Sequence, residues 1–175
     1  MKSRTAKGST RHRIRRRPPT VDILIESPLW KAQREAEAVL RRAIVAAAST
    51  VATAGGELAV VLTDDSAIRA LNRDWRRRDA ATNVLSFPAK AAHDGTGAPG
   101  LLGDIVIAYE TTEREASAEH KPFAHHLAHL AVHGFLHLAG YDHEADDEAE
   151  AMERLETAIL ARLDVPDPYV ARGDA

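Results

Sequence analysis

The chain has 175 residues, 45% of them hydrophobic and 28% charged, which is enough for one compact core in a soluble domain. It contains no cysteine, which excludes a disulfide framework and any thiolate metal site. The net charge of −3 conceals an asymmetry: residues 1–18 hold eight Lys or Arg and no acid, leaving 15 bases against 26 acids, a net of −11, in the rest. A basic arm over residues 1–20 suits contact with a polyanion such as RNA, and it equally suits a solubilising, disordered tail. The arm lacks the apolar run of a signal peptide, and the longest stretch free of Asp, Glu, Lys, Arg and His, 43–56, is too short and polar to span a bilayer. A cytoplasmic protein is expected.

The folded domain is expected over 21–168, with 169–175 as a tail. Residues 21–25 read as a short strand. Ser27-Pro28 supplies an N-cap followed by proline at the first helical position, so one long helix is expected from there to about residue 48. Leu29, Ala32, Ala36, Leu40, Ile44 and Ala47 would share its inner face. Residues 57–62 are strand-like. Asp64 or Asp65 can cap a helix over 66–75 with Ile68 and Leu71 turned inward. A third strand covers 84–87, a loop 89–99 and a fourth strand 102–108. Helices follow over 110–118, from Pro122 to Gly140, and over 144–163. Strand and helix alternate only in the first half, which favours an α+β fold with a small mixed sheet of about four strands over a doubly wound parallel sheet.

Seven of the nine histidines fall between His120 and His143. The informative run is His133-Gly134-Phe135-Leu136-His137-Leu138-Ala139-Gly140-Tyr141-Asp142-His143. A spacing of four puts His133 and His137 on one helix face, about 5–6 Å apart at Cβ. Two imidazoles so placed can hold one tetrahedral metal ion. Gly140 can end the helix in the left-handed conformation, letting His143 return as a third ligand and leaving a fourth position open, as a catalytic site needs. The surrounding Leu127, Leu130, Ala131, Val132, Phe135, Leu136 and Leu138 make this helix apolar nearly all round, hence buried. Buried imidazoles need partners, because each unpaired polar group costs about 1–3 kcal/mol. His129 lies one turn back and reads as a neutral core histidine, a fourth ligand or a group supporting a ligand from behind, while His125 and His126 read as solvent-facing. Asp142 is either a carboxylate orienting a ligand or a turn residue, and Ser86 reads as structural.

The run lacks the glutamate that follows the first ligand in familiar zinc proteases; Gly134 stands there. Glycine inside a helix costs about 1 kcal/mol against alanine, so either another group approaches closely at this point or the helix packs there against a neighbouring backbone. Arg76, in Arg76-Arg77-Arg78, closes a helix with Arg69 and Arg73 behind it. That ridge suits phosphates, Arg76 being able to grip one with two parallel hydrogen bonds; cations at a helix end also offset its dipole.

The eleven-residue run resembles the signature of the YbeY family of metal-dependent endoribonucleases, His-Gly-x-Leu-His-Leu-x-Gly-Tyr-Asp-His, at every fixed position. Leu71-Asn72, Trp75-Arg76, Asp79 and Thr82-Asn83-Val84-Leu85-Ser86-Phe87-Pro88 agree as well, as does Gly103-Asp104-Ile105-Val106-Ile107. Trp75 replaces a frequent Tyr and Ala81 a usual Pro. The resemblance implies a zincin-like layout, with the metal site on a central buried helix and the turn after it. It implies Zn2+ on His133, His137 and His143, with nickel or another divalent transition metal able to replace it, and Arg76 as the catalytic arginine. Arg73, Arg77 and Arg78 are expected to assist in substrate binding. It implies cleavage of single-stranded RNA, in maturing the 3′ end of small-subunit (16S) rRNA and in ribosome quality control, with the small subunit as partner. Two other readings stay open: a metalloprotease-like hydrolase, and a ribosome-associated RNA-binding module whose metal is structural.

Overall fold

A computed structural model describes residues 17–51, 55–89, 100–143 and 145–170. Most of the basic arm, most of the loop expected over 89–99, Glu144 and the last five residues lie outside the described residues. The elements are β1 (Thr20–Ile25), a 3₁₀ turn (Pro28–Ala32), α1 (Ala36–Thr50), β2 (Glu57–Thr63) and α2 (Asp65–Arg76). After them come β3 (Val84–Pro88), β4 (Leu101–Ala108), α3 (Tyr109–Ala118), α4 (Phe123–Leu138) and α5 (Asp146–Ala161). The four strands form one mixed sheet in the order β1-β2-β4-β3: β1, β2 and β4 run parallel, and β3 pairs antiparallel to β4. The α+β class and the four strands agree with the sequence pattern.

Period-two alternation divides the sheet into two faces. Leu58, Val60 and Leu62 of β2 and Ile105 and Ile107 of β4 enter the main core with α1, α4 and α5. Val106 and Ala108 point the other way, forming a smaller cluster with Ile68 of α2 and Leu85 of β3. Helix α4 touches α1, α3, α5, β3 and β4, so it is the central buried helix that its apolar sequence implies. Phe135, Leu136 and Val132 are fully enclosed, each contributing roughly 1.5–3 kcal/mol by burial.

The single helix expected from residue 28 to about 48 is instead two elements. Ser27 caps the 3₁₀ turn as anticipated, but Gln33 leaves helical geometry and α1 begins only at Ala36. The cause is Trp30, whose indole Nε1 donates to the Thr63 carbonyl at 2.8 Å and whose ring meets Tyr109 and Phe123 edge-on. Those contacts fix the turn against the end of β2 and prevent a straight run into α1.

Strand β1 begins at Thr20, which pairs with Glu57 of β2. At the other end Tyr169 donates its hydroxyl to Glu156 of α5, so this residue contacts the folded body.

Candidate metal centre

Helix α4 ends in a turn built by Gly140, whose φ is +93°. Gly140 N–H bonds the His137 carbonyl and Tyr141 N–H bonds the Leu136 carbonyl, both at 3.0 Å, the pair of bonds that closes a helix around a left-handed residue. The chain thereby doubles back, and the His143 ring comes to rest 5.6 Å from that of His133 and 5.0 Å from that of His137. One nitrogen from each of His133, His137 and His143 lies within 4.8 Å of the others. The Nε2 atoms of His133 and His137 are 3.1 Å apart, close to the roughly 3.3 Å that two nitrogens on one tetrahedral zinc require.

The tautomer of His133 is set from behind. Its Nδ1–H donates to Oε1 of Glu156 at 2.7 Å, and a carboxylate can only accept, so the Nε2 lone pair is left for the cluster. Glu156 has no exposed surface. Its other oxygen, Oε2, accepts from His129 Nε2 at 3.0 Å and from Tyr169. Burial alone would raise this carboxyl, but the bonds from His129 and His133 overcome it and hold the pKa at about 2. Burial lowers His137, and repulsion from His133 and His143 lowers it further, which favours the neutral form a metal needs. Three converging neutral-capable imidazoles, one of them oriented by a buried carboxylate, fit a zinc-type ion.

Glu156 had no place in the sequence-based site. Its signal was faint: it lies in register with Met152 and Leu160 on the buried side of α5, where an acid is out of keeping. His126 needs correction. It is 6% exposed, not solvent-facing, and its Nε2 bonds Glu115 at 2.8 Å. His129 is engaged by Glu156 and does not join the ligand cluster. Asp142 lines the cleft, and one of its carboxylate oxygens accepts from His143 N–H at 2.7 Å.

The three histidines open on a cleft of about 740 Å³. Arg76 and Arg78 line the same cleft, as do Val84, Ser86 and Pro88 of β3. The arginines are positioned by the end of α2, where Arg77 adopts the left-handed conformation (φ +57°). Asn72 Nδ2 clamps that turn by donating to the Ala80 carbonyl at 2.8 Å, and Arg69 grips Asp79 through two hydrogen bonds. Arg73 pairs with Asp74, and neither Arg73 nor Arg77 is among the residues lining the cleft. No ion pair among the described residues engages Arg76 or Arg78.

The reason for Gly134 is packing. A Cβ there would stand 2.9 Å from Cγ2 of Ile105 and 3.2 Å from Oγ of Ser86. Ser86 donates that hydroxyl to the Gly134 carbonyl at 3.1 Å, so it ties β3 to the metal-site helix.

An α+β frame that brings three imidazoles together, in a cleft lined also by Arg76 and Arg78, defines a protein with a group of side chains that could hold a metal ion. The family model described as "Endoribonuclease YbeY" matches residues 25–164. Similar chains named Endoribonuclease YbeY occur in Rhodopseudomonas palustris (strain BisA53), 62% identical over 87% of this chain and 91% of that one, and in Bradyrhizobium sp. (strain BTAi1 / ATCC BAA-1182), 58% identical over 88% and 94%. One in Nitrobacter winogradskyi is 54% identical over 95% of this chain and 91% of its own length. The solution structure of TM1509 from Thermotoga maritima aligns over 89% of this chain and all of that one, at 23% identity and a TM-score of 0.48. The chain belongs to the YbeY endoribonuclease family.

Proposed function

We propose that this protein is a metal-dependent endoribonuclease that cuts single-stranded RNA, with 16S rRNA 3′-end maturation and ribosome quality control in the cytoplasm as its setting. The observation that carries the reading is the cleft itself, lined by the three clustered histidines and by Arg76 and Arg78. His133, His137 and His143 would hold Zn2+; a nitrogen-only set also suits nickel or copper. When bound, such an ion supplies Lewis acidity toward water or a phosphate oxygen. Arg76 holds the scissile phosphate by paired hydrogen bonds and offsets the charge that builds on it, and Arg78 binds the same backbone from beside it. Glu156 keeps the His133 ring in one tautomer, and the packing of Ser86 and Ile105 on Gly134 holds the helix that carries it.

The metalloprotease alternative lacks support in the cleft. Gly134 occupies the position of the usual base, and Glu156 is buried behind His133. The structural-metal alternative needs a fourth protein ligand, whereas His129 is engaged with Glu156 and the cluster among the described residues comprises three histidines. The decisive experiment is cleavage of an end-labelled single-stranded RNA by the wild type and a His137→Ala protein purified in parallel. Cutting by the wild type alone, stopped by a chelator, is expected. Equal cutting by both, or by neither, would end the nuclease reading.

A further inference from the structure

The two tryptophans have opposite surroundings. Trp30 is 2% exposed, with its indole nitrogen bonded inside the core. Trp75 is 71% exposed, at the last turn of α2. Burying a side chain of this size is among the largest single hydrophobic gains available to a fold, and here it is left in solvent directly before Arg76, which lines the cleft. The one ring it meets among the described residues is Phe87, edge-to-face at 5.8 Å and 67°. That contact steadies the indole and leaves most of it open.

Its location connects it to the cleft. Phe87 packs with Leu85 and Ile68 on the α2 side of the sheet, while its neighbours Ser86 and Pro88 line the cleft on the other side. Strand β3 is the outer strand of the sheet, so only its free edge separates the two places. The chain itself crosses that edge: Arg76 follows Trp75 directly, Arg77 makes the left-handed turn, and Arg76 and Arg78 look into the cleft. Arg69 and Arg73 are neutralised by Asp79 and Asp74, whereas no ion pair among the described residues engages Arg76, Arg77 or Arg78. An open aromatic ring next to unpaired guanidinium groups is the combination that binds unpaired nucleotides, the ring taking a base and the cations its phosphates.

We propose that Trp75 is a base-stacking subsite, receiving the unpaired nucleobase next to the phosphate held between Arg76 and the histidine cluster. The inference rests on the ribonuclease reading and deepens it. A base inside a duplex has both faces covered and cannot lie on Trp75, so the subsite selects single strands in addition to holding them. Trp75 touches the substrate away from the reacting atoms, and its contact is the same before and during the reaction, so it acts on binding rather than on the chemical step.

Fluorescence of the metal-loaded protein tests this, because Trp30 is enclosed and Trp75 is the tryptophan that solvent reaches. The probe is a 2′-O-methyl phosphorothioate single-stranded RNA of about ten nucleotides, which resists cleavage. It should quench the exposed emission and protect it from iodide, whereas a duplex of the same sequence should do neither. Trp75→Ala should raise KM for cleavable RNA about ten-fold with kcat nearly unchanged, and Trp75→Tyr should restore most of the affinity. An abasic nucleotide at one position beside the cut should weaken wild-type binding and leave Trp75→Ala unaffected.

If the wild type cuts RNA while Trp75→Ala matches its KM and no abasic position matters, the stacking proposal falls and the nuclease reading survives. If the wild type neither binds nor cuts RNA, both fall. If iodide access to Trp75 falls with protein concentration in the absence of RNA, the ring is an interface between copies and the proposal is overturned.

Discussion

Helix α4 carries four inward histidines whose fates divide at its middle. In the N-terminal half, His126 bonds Glu115 and His129 bonds Glu156, so each imidazole meets a carboxylate. In the C-terminal half, His133 and His137 meet each other across 3.1 Å and are joined by His143. Residue type is the same in both halves, and the helical spacing is nearly so. What differs is whether a neighbouring element brings an acid, as α3 and α5 do for the first pair, or a third imidazole, as the Gly140 turn does for the second. His133 belongs to both, with Nδ1 on Glu156 and Nε2 in the cluster, and it couples the two halves.

The sharpest way to break this contrast is to remove one histidine from each half. His137→Ala should lose bound metal and RNA cleavage while keeping the fold. His129→Ala should keep its metal but unfold more easily, by about 1–3 kcal/mol, because Glu156 loses a donor. Metal content by elemental analysis and thermal melts separate the two, and equal metal loss in both variants would show that the halves form one site. Next in size, Glu156→Gln should weaken metal affinity about 10–100-fold in a chelator competition, since it replaces the group that fixes the His133 tautomer. Unchanged affinity would remove Glu156 from the account.

Gly134→Ala tests the packing of the C-terminal half. The new Cβ would crowd Ile105, and a loss of about 1–3 kcal/mol in denaturant unfolding is expected; a neutral result would mean that β4 yields without cost. Acid stability of the metal-free protein tests the same buried carboxylate. Glu156 titrates near 2 when folded against 4.5 as its ordinary value, so it stabilises fully above the higher value. That contribution disappears as pH falls through the folded value. Wild type should therefore lose stability more steeply than Glu156→Gln between about pH 4.5 and 2, and parallel acid-unfolding curves would contradict this.

Much of the site is legible in local sequence pattern. The i, i+4 spacing of His133 and His137, the glycine after the helix and the third histidine three residues on are local facts, and helix geometry converts them directly into convergence. Strands β2 and β4 are legible for a similar reason, since dense Val, Ile and Leu reveal a buried strand from composition alone. Local pattern failed where a distant group intervened. The break between Pro28 and Ala36 follows from an indole reaching the end of β2, 33 residues away. His126 looks like a surface residue until α3 delivers Glu115 to it.

By itself, then, the amino-acid sequence determined most of the secondary elements, the buried character of α4 and the three histidines that converge at its end, because each depends on contacts within a turn or two of chain. Tertiary structure alone decided the rest. It placed Glu156 behind His133 from 23 residues away, brought Arg76 and Arg78 into the cleft that the three histidines line, and left Trp75 exposed against Phe87 of β3. Those relations depend on how α2, α5 and the sheet pack around one helix, and packing is set by the whole core at once.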